Sequence, residues 1–473
     1  MTTFPLSVNN SGRYLQTASG SPYRIKSDAG WITQCNFDTS TQNSYLDGIK
    51  ALGFNATTLM GIVKNSTSWG DVNEPANFDG DQPFTGATFS TPNSAYFSKL
   101  SDYIDRANSR DLGVMFFHTY AGAGSDGWDA DLIAASNSTC FNWGAYLAST
   151  FTQPNIIWMH MGDRTASGTS LTRWQNIIAG IQSVSRNRLA GCELDGPNSI
   201  ITSQSGVTLG VNPSTSDMQI SSFYGQGASQ NGCTYVEAYS SYLLSVAGTC
   251  GPSYQTEPNY TNAFYDPKNS RSDIRSMIHW ALSSGALGGT NFGEDLRWDG
   301  RPGILTSLTA SATIDQSYCN AFYDSIKWWL LRPSGTSSSS PISGAGSYGT
   351  ANCGRTLIVS GQGSGTSFIS ACMTSDGSQL FSYIPPTGTG TTTFSVDLQS
   401  MAGSTVFRWW NPTTGIMGSV IGTYPKTASS QSFTTPGDNG TGTNDWYLVG
   451  TLVADTFPAS TGLVTAPFLC ANF

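Results

Sequence analysis

Pro154-Asn155-Ile156-Ile157-Trp158-Met159-His160-Met161-Gly162-Asp163 and Tyr254-Gln255-Thr256-Glu257-Pro258-Asn259-Tyr260 are two short runs that stop abruptly at an acid. Such a run reads as a buried parallel strand delivering a carboxylate at its carboxyl end, the way an α/β barrel presents its chemistry. Two carboxylates on two such strands suggest acid/base work.

The pattern repeats outward from these runs. Strands are expected at 23–26, 54–60, 113–119, 156–161, 188–192, 218–223, 253–256 and 286–291. Helical spacing separates them, as in Tyr96, Leu100, Tyr103, Ile104 and Ala107, or Trp174, Ile177, Ile178 and Ile181. Eight strands alternating with helices predict a (β/α)₈ barrel over residues 1–334, with a last helix from Tyr318 to Leu331. Pro333-Ser334-Gly335-Thr336 and Ser337 to Ser340 mark a shift in composition that reads as a linker or exposed loop. Short alternating strands then predict a small antiparallel β-sandwich over 335–473, at 355–360, 379–384, 393–397, 405–410 and 446–452.

Composition narrows the function. Charged residues make up 11% of the 473 and aromatics 12%, with a net charge of −9 and no basic block, so nucleic acid is excluded as a partner. No apolar run reaches the roughly 20 residues of a membrane helix. The first 20 residues lack a signal peptide's basic start and apolar stretch. We expect a secreted monomer whose signal has been removed and Met1 added. The nine cysteines contain no C-x-x-C, which disfavours zinc ribbons and thioredoxin-type redox motifs. Some are expected to form disulfides, with Cys233–Cys250 and Cys353–Cys372 the nearest pairs in sequence.

On a barrel, the polar residues that finish each strand are the candidate chemistry. They are Asp28 and Trp31, His118 and Tyr120, Asp163, Glu193 and Asp195, Tyr224, Glu257, and Glu294 with Trp298, with His160 just ahead of Asp163. Carboxylates among rings suit glycoside hydrolysis, in which one acid protonates the leaving oxygen while a second attacks the anomeric carbon or activates water. Rings stack on the apolar faces of sugars, and Asp, Asn and His bond their hydroxyls. Asp28, Trp31, His118, Tyr120, His160, Glu193, Tyr224 and Trp298 are therefore the expected substrate contacts. There is no G-x-S-x-G elbow, no H-E-x-x-H, and only three histidines, so neither a serine triad nor a metal site has a signal. No metal and no cofactor are expected. Gly122 to Gly127 fits G-x-G-x-x-G but follows the third strand, and lacks the acid about 20 residues on; it reads as a glycine-rich loop. Asp28 has the alternative of orienting Trp31 or a loop backbone, and Glu193 that of an ion pair with Arg188 or Arg297. Trp409, Trp410 and Trp446 read as core or interface residues of the sandwich.

Residues 4 to about 335 resemble the apiosidase-like glycoside hydrolases, glycoside hydrolase family 140 and its relatives. The resemblance rests on Phe4-Pro5-Leu6, Gly12-Arg13-Tyr14-Leu15, Ser27 to Trp31, Tyr45-Leu46, Leu52 to Asn55, Gln82-Pro83-Phe84, Pro92-Asn93, Pro154 to Asp163, Glu257-Pro258, and Gly285 to Gly293 with Trp298, in that order. Residues 352–473 resemble the collagen-binding-type β-sandwich attached to such barrels, through Phe407 to Gly415 and Asn444 to Val449. The resemblance implies a retaining hydrolase, with Asp163 as acid/base and Glu257 as nucleophile. It also implies a pentofuranosyl linkage, apiose- or arabinose-like, in a plant or microbial polysaccharide. Two departures, His160-Met161-Gly162 before the Asp and Cys192-Glu193-Leu194-Asp195 after the fifth strand, where relatives often place a histidine, bear on the substrate more than on the reaction class. Carboxylates about 5 Å apart would support retention and a wider gap inversion. A non-catalytic glycan-binding groove and a glycan-directed esterase or lyase are the alternatives.

Overall fold

A computed structural model describes residues 3–64, 75–122, 127–185, 188–194, 219–224, 235–246, 251–263, 269–335 and 352–454. The glycine-rich segment at 123–126, Asp195, Cys233 and Cys250 lie outside them. Eight parallel strands form one sheet: β1 (Ile25–Ala29), β2 (Ala56–Met60), β3 (Gly113–Phe117), β4 (Ile156–Met161), β5 (Ala190–Glu193), β6 (Ser221–Tyr224), β7 (Ser253–Glu257) and β8 (Gly289–Phe292). Their order is β5-β4-β3-β2-β1-β8-β7-β6. The seam between β5 and β6 is drawn together where the N–H groups of Gln219 and Ile220 both donate to the Ala190 carbonyl, at 2.8 and 3.0 Å. Helices α1 (Thr39–Ala51), α2 (Ser94–Ser109), α3 (Asn137–Thr150), α4 (Gly168–Val184), α5 (Tyr235–Val246), α6 (Arg271–Ser283) and α7 (Ser311–Asp324) accompany the strands. This is the predicted (β/α)₈ barrel. Asp38, Asn93, Ser136 and Ser270 cap α1, α2, α3 and α6 by accepting from N–H groups of the first turn. The apolar faces foreseen on α2 and α4 are the buried ones. None of the described helices is long and apolar enough to cross a membrane.

The antiparallel unit follows. Its six-stranded sheet contains β9 (Leu331–Pro333), β11 (Ser370–Thr374), β12 (Gln379–Ile384), β14 (Thr405–Asn411), β15 (Ile416–Tyr424) and β17 (Trp446–Leu452). A three-stranded sheet pairs β10 (Ile358–Ser360), β13 (Thr393–Val396) and β16 (Gln431–Thr434). Leu331 to Pro333 already pair with β11, so the chain enters this unit a few residues ahead of 335. α7 ends at Asp324 rather than at Leu331, and a 3₁₀ turn at Trp328–Leu330 leads into β9. The Cys353–Cys372 pairing is not present: both thiols are free, and the Cys353 Sγ donates to the Arg355 carbonyl at 3.1 Å.

Barrel and sandwich share one buried seam. Trp410 stacks on Phe322 of α7 with ring centroids 4.3 Å apart, and the hydroxyls of Tyr323 and Tyr447 meet at 2.6 Å. At its centre is Arg275 of α6. Its guanidinium donates to both oxygens of Asp445 in the sandwich, at 2.5 and 2.6 Å, and to Asp315 of α7 at 2.7 Å. Trp409 joins the sandwich core and Trp446 packs against it, while Trp410 reaches the barrel, so the three rings are core or interface residues as expected.

All three histidines are interior. The His118 Nε2 lies 2.9 Å from the His160 Nδ1, and His279 sits among Tyr323, Tyr383 and Tyr447 at the seam. Burial drives each below its ordinary value, His118 further by the neighbouring His160, with His160 at about 4 and His279 at about 3. Folded values below the unfolded one mean that the unfolded histidines bind more protons, so their contribution to stability falls as pH drops below about 6.5, while the buried carboxyls of Glu237 and Asp299, raised by burial to about 7, contribute in the opposite direction.

Candidate active site

Asp163 follows β4 by two residues, β5 and β7 end on Glu193 and Glu257, and one carboxylate oxygen from each lies within 4.8 Å of the others. Register produces the cluster: Met161 pairs with Glu193 across β4 and β5, while an irregularity at Gln255–Glu257 shifts the end of β7 against Tyr224 of β6. Asp163 is half-buried, and Glu193 and Glu257 are buried.

The approach to Asp163 is built on left-handed backbone. Met161, Gly162 and Asp163 have φ of 67°, 112° and 53°, which the two side-chain-bearing residues tolerate only because neighbouring loops hold them. Ala121 and Gly122 donate to the carbonyls of Met161 and Gly162, and Gly162 donates to the Glu193 carbonyl at 3.1 Å. Arg164 pairs with buried Asp129 at 3.0 Å, tying the loop after β4 to the loop after β3. The Tyr120 hydroxyl then donates to the Asp163 Oδ2. Burial first, and Asp163 second, raise Tyr120 well above the usual phenol range, so it remains a donor. A Cβ on Gly162 would stand 2.4 Å from the Tyr120 ring. Gly162→Ala should therefore push Tyr120 off Asp163 and lower kcat about 10²-fold, the scale of a 1 Å misplacement. A wild-type kcat would show that this contact does not set the acid's position.

An aromatic wall flanks the acids. The Trp31 Nε1 donates to the Tyr260 hydroxyl at 2.6 Å, Tyr260 stacks on Trp298 at 5.5 Å, and Trp31 packs on Phe117 at 4.6 Å and on Tyr120 at 6.2 Å. Tyr260 was not among the expected contacts. Its signal was its place three residues after Glu257, in the loop that β7 must enter.

Other expected contacts sit deeper. Asp28 is fully buried, bound by the Arg297 Nε at 3.0 Å and the Tyr45 hydroxyl at 2.8 Å, and so braces β1 against the loop after β8. His118 packs among Trp158, Trp174 and His160, between the sheet and α4. Its side chain, with that of His160, supports β3 and β4 from the helical layer. Tyr224 ends β6 in register with Glu257. Glu294 caps the short helix Asp295–Trp298, accepting from the Leu296 N–H at 3.0 Å. Neither arginine suggested as a Glu193 partner serves it: Arg297 is held by Asp28, and Arg188 donates to the carbonyls of Phe151 and Gln153.

A barrel whose mouth gathers strand-end carboxylates beside rings has the construction of a glycoside hydrolase. Residues 9–307 match the sequence profile described as "Apiosidase-like, catalytic domain", and the chain belongs to that family. It is a glycoside hydrolase. The fold is shared with a protein described as "Glycoside hydrolase", at TM-score 0.75 and 16% identity, covering 96% of this chain and 98% of that one. It is also shared with a glycoside hydrolase family 5 protein from Bacteroides vulgatus ATCC 8482, at TM-score 0.75 and 17% identity, covering 97% and 96%. No curated protein matches the chain.

Proposed function

We propose that the chain is a retaining, secreted hydrolase of a pentofuranosyl linkage, apiose- or arabinose-like, in a plant or microbial polysaccharide. Asp163, held by Tyr120, donates a proton to the glycosidic oxygen. The Glu257 carboxylate gives its electron pair to the anomeric carbon as the bond to the leaving oxygen breaks. Asp163 then takes a proton from water, which attacks the glycosyl-enzyme and frees Glu257. The observation that carries this reading is the separation of the acids: oxygens within 4.8 Å of one another suit direct attack by a carboxylate and fall short of the wider gap that an inverting pair needs for sugar and water together. The family supports the sugar class, and the low charge with abundant Ser, Thr, Gly and Asn supports secretion.

Wild type, Asp163→Asn and Glu257→Gln should be incubated with plant and bacterial polysaccharides, pentofuranosyl-branched ones included, and the released sugars separated by chromatography. Pentose release by wild type alone is the expected result. Release that survives both substitutions would overturn the assignment, and release of hexoses only would overturn the sugar class.

A further inference from the structure

Glu193 has no part in the two-carboxylate reading, yet it is among the most enclosed acids of the barrel mouth. It is 1% exposed, with an oxygen within 4.8 Å of oxygens of both Asp163 and Glu257. The groups that face it are Asp163 after β4 with its backbone N–H, Tyr120 after β3, and Tyr254, Thr256 and Glu257 of β7. The N–H and the Thr256 hydroxyl favour the anion but weigh less than burial and the two acids, and among the described residues no ion pair reaches Glu193. Three like charges so close, in a site shielded from water, cannot all be ionised. Burial, then Glu257 and then Asp163, all push Glu193 toward its protonated form.

We propose that Glu193 works as the neutral acid of this trio, a positioning residue that offers its proton to the Glu257 carboxylate, directly or through one water, and so keeps the nucleophile ionised beside protonated Asp163. This rests on the reading of Asp163 and Glu257 given above. The trio then carries one negative charge and two protons before reaction. When Glu257 forms its bond to the sugar, the Asp163 proton leaves with the departing oxygen. The single charge moves to Asp163, and Glu193 keeps its proton throughout. No step places a second negative charge beside the first.

The side chain that replaces Glu193 decides the matter through pH–rate profiles. Glutamine keeps a donor without the charge, so Glu193→Gln should leave both limbs of the profile in place. Methionine removes the donor, so Glu193→Met should move the acid limb to higher pH, because Glu257 becomes harder to ionise. Were Glu193 an anion, both substitutions would shift the limbs to lower pH. That direction, unmoved limbs in Glu193→Met, or a loss beyond about 10²-fold in folded Glu193→Gln would each overturn the proposal. Asp163→Asn and Glu257→Gln in the same assay separate a failure here from a failure of the underlying pair, since only the latter leaves those two variants active. Difference infrared spectra of the wild type, which need no variant to fold, should retain a protonated-carboxyl band above pH 7; its absence would also overturn the proposal.

Discussion

Glu257→Gln is expected to lower kcat about 10⁴-fold on every substrate, whereas the effect of Asp163→Asn is expected to depend on the leaving group. In the proposed reaction the two acids act at different bonds. Without the Glu257 carboxylate there is no electron pair to form the glycosyl-enzyme, whatever departs. The Asp163 proton matters as much as the leaving oxygen needs it, so polysaccharide cleavage should fall about 10²–10⁴-fold in Asp163→Asn. An aryl glycoside with an acidic phenol leaves unprotonated, and its first step should remain near the wild-type rate. Release of the phenol in a rapid burst, followed by slow turnover, would mark the step at which Asp163 acts again on water. Equal losses on both kinds of substrate would show that Asp163 is not the proton donor.

The second large effect lies far from the mouth. Arg275→Met should destabilise the protein by about 3–5 kcal/mol, because it strands the Asp445 carboxylate without its guanidinium inside the seam, whereas Asp315 keeps Arg271 at 2.6 Å. Burial alone would raise the Asp445 carboxyl, but Arg275 more than offsets this and holds it below its ordinary value. A depressed folded value gives stability that is present above the unfolded pKa, near pH 4, and lost as pH falls through the folded one. The wild type should therefore lose this contribution only below about pH 4, and the variant should lack it at neutral pH. Urea unfolding at both pH values measures the difference. A cost below 1 kcal/mol at pH 7 would mean that the arginine is dispensable to the docking of the two domains.

The barrel was legible where strands are apolar on both faces. Ile156–Met161 was read to the residue, since six consecutive buried positions leave little else for the run to be. β1 was read two residues early, because Ser27 and Asp28 look like loop. In the barrel interior Ser27 instead meets Thr58, which bonds to Asn291, a polar layer that satisfies itself only once the sheet is closed. β11, β15 and β16 went unread: Ser370–Thr374 carries few β-branched residues, Ile416–Tyr424 is interrupted by glycines, and Gln431–Thr434 is nearly all polar. Strand ends named the acids but not their grouping. That Glu193, and not Asp28 or Glu294, joins Asp163 and Glu257 depends on strand register, which no local pattern records. Position along the chain points His118 and His160 to the mouth, whereas the two-residue alternation of β3 and β4 turns His118 toward the helices with Phe116 and Trp158.

In the proposed reaction Glu257 becomes bonded to sugar while Asp163 governs protons. Asp163→Asn should be mixed with an activated aryl pentofuranoside, quenched, and examined by intact-mass and peptide mass spectrometry. The prediction is a mass increase of one glycosyl residue, mapped to the peptide carrying Glu257 and absent from Asp163→Asn/Glu257→Gln. A glycosyl group on Glu193, or turnover with inverted product and no adduct, would contradict it.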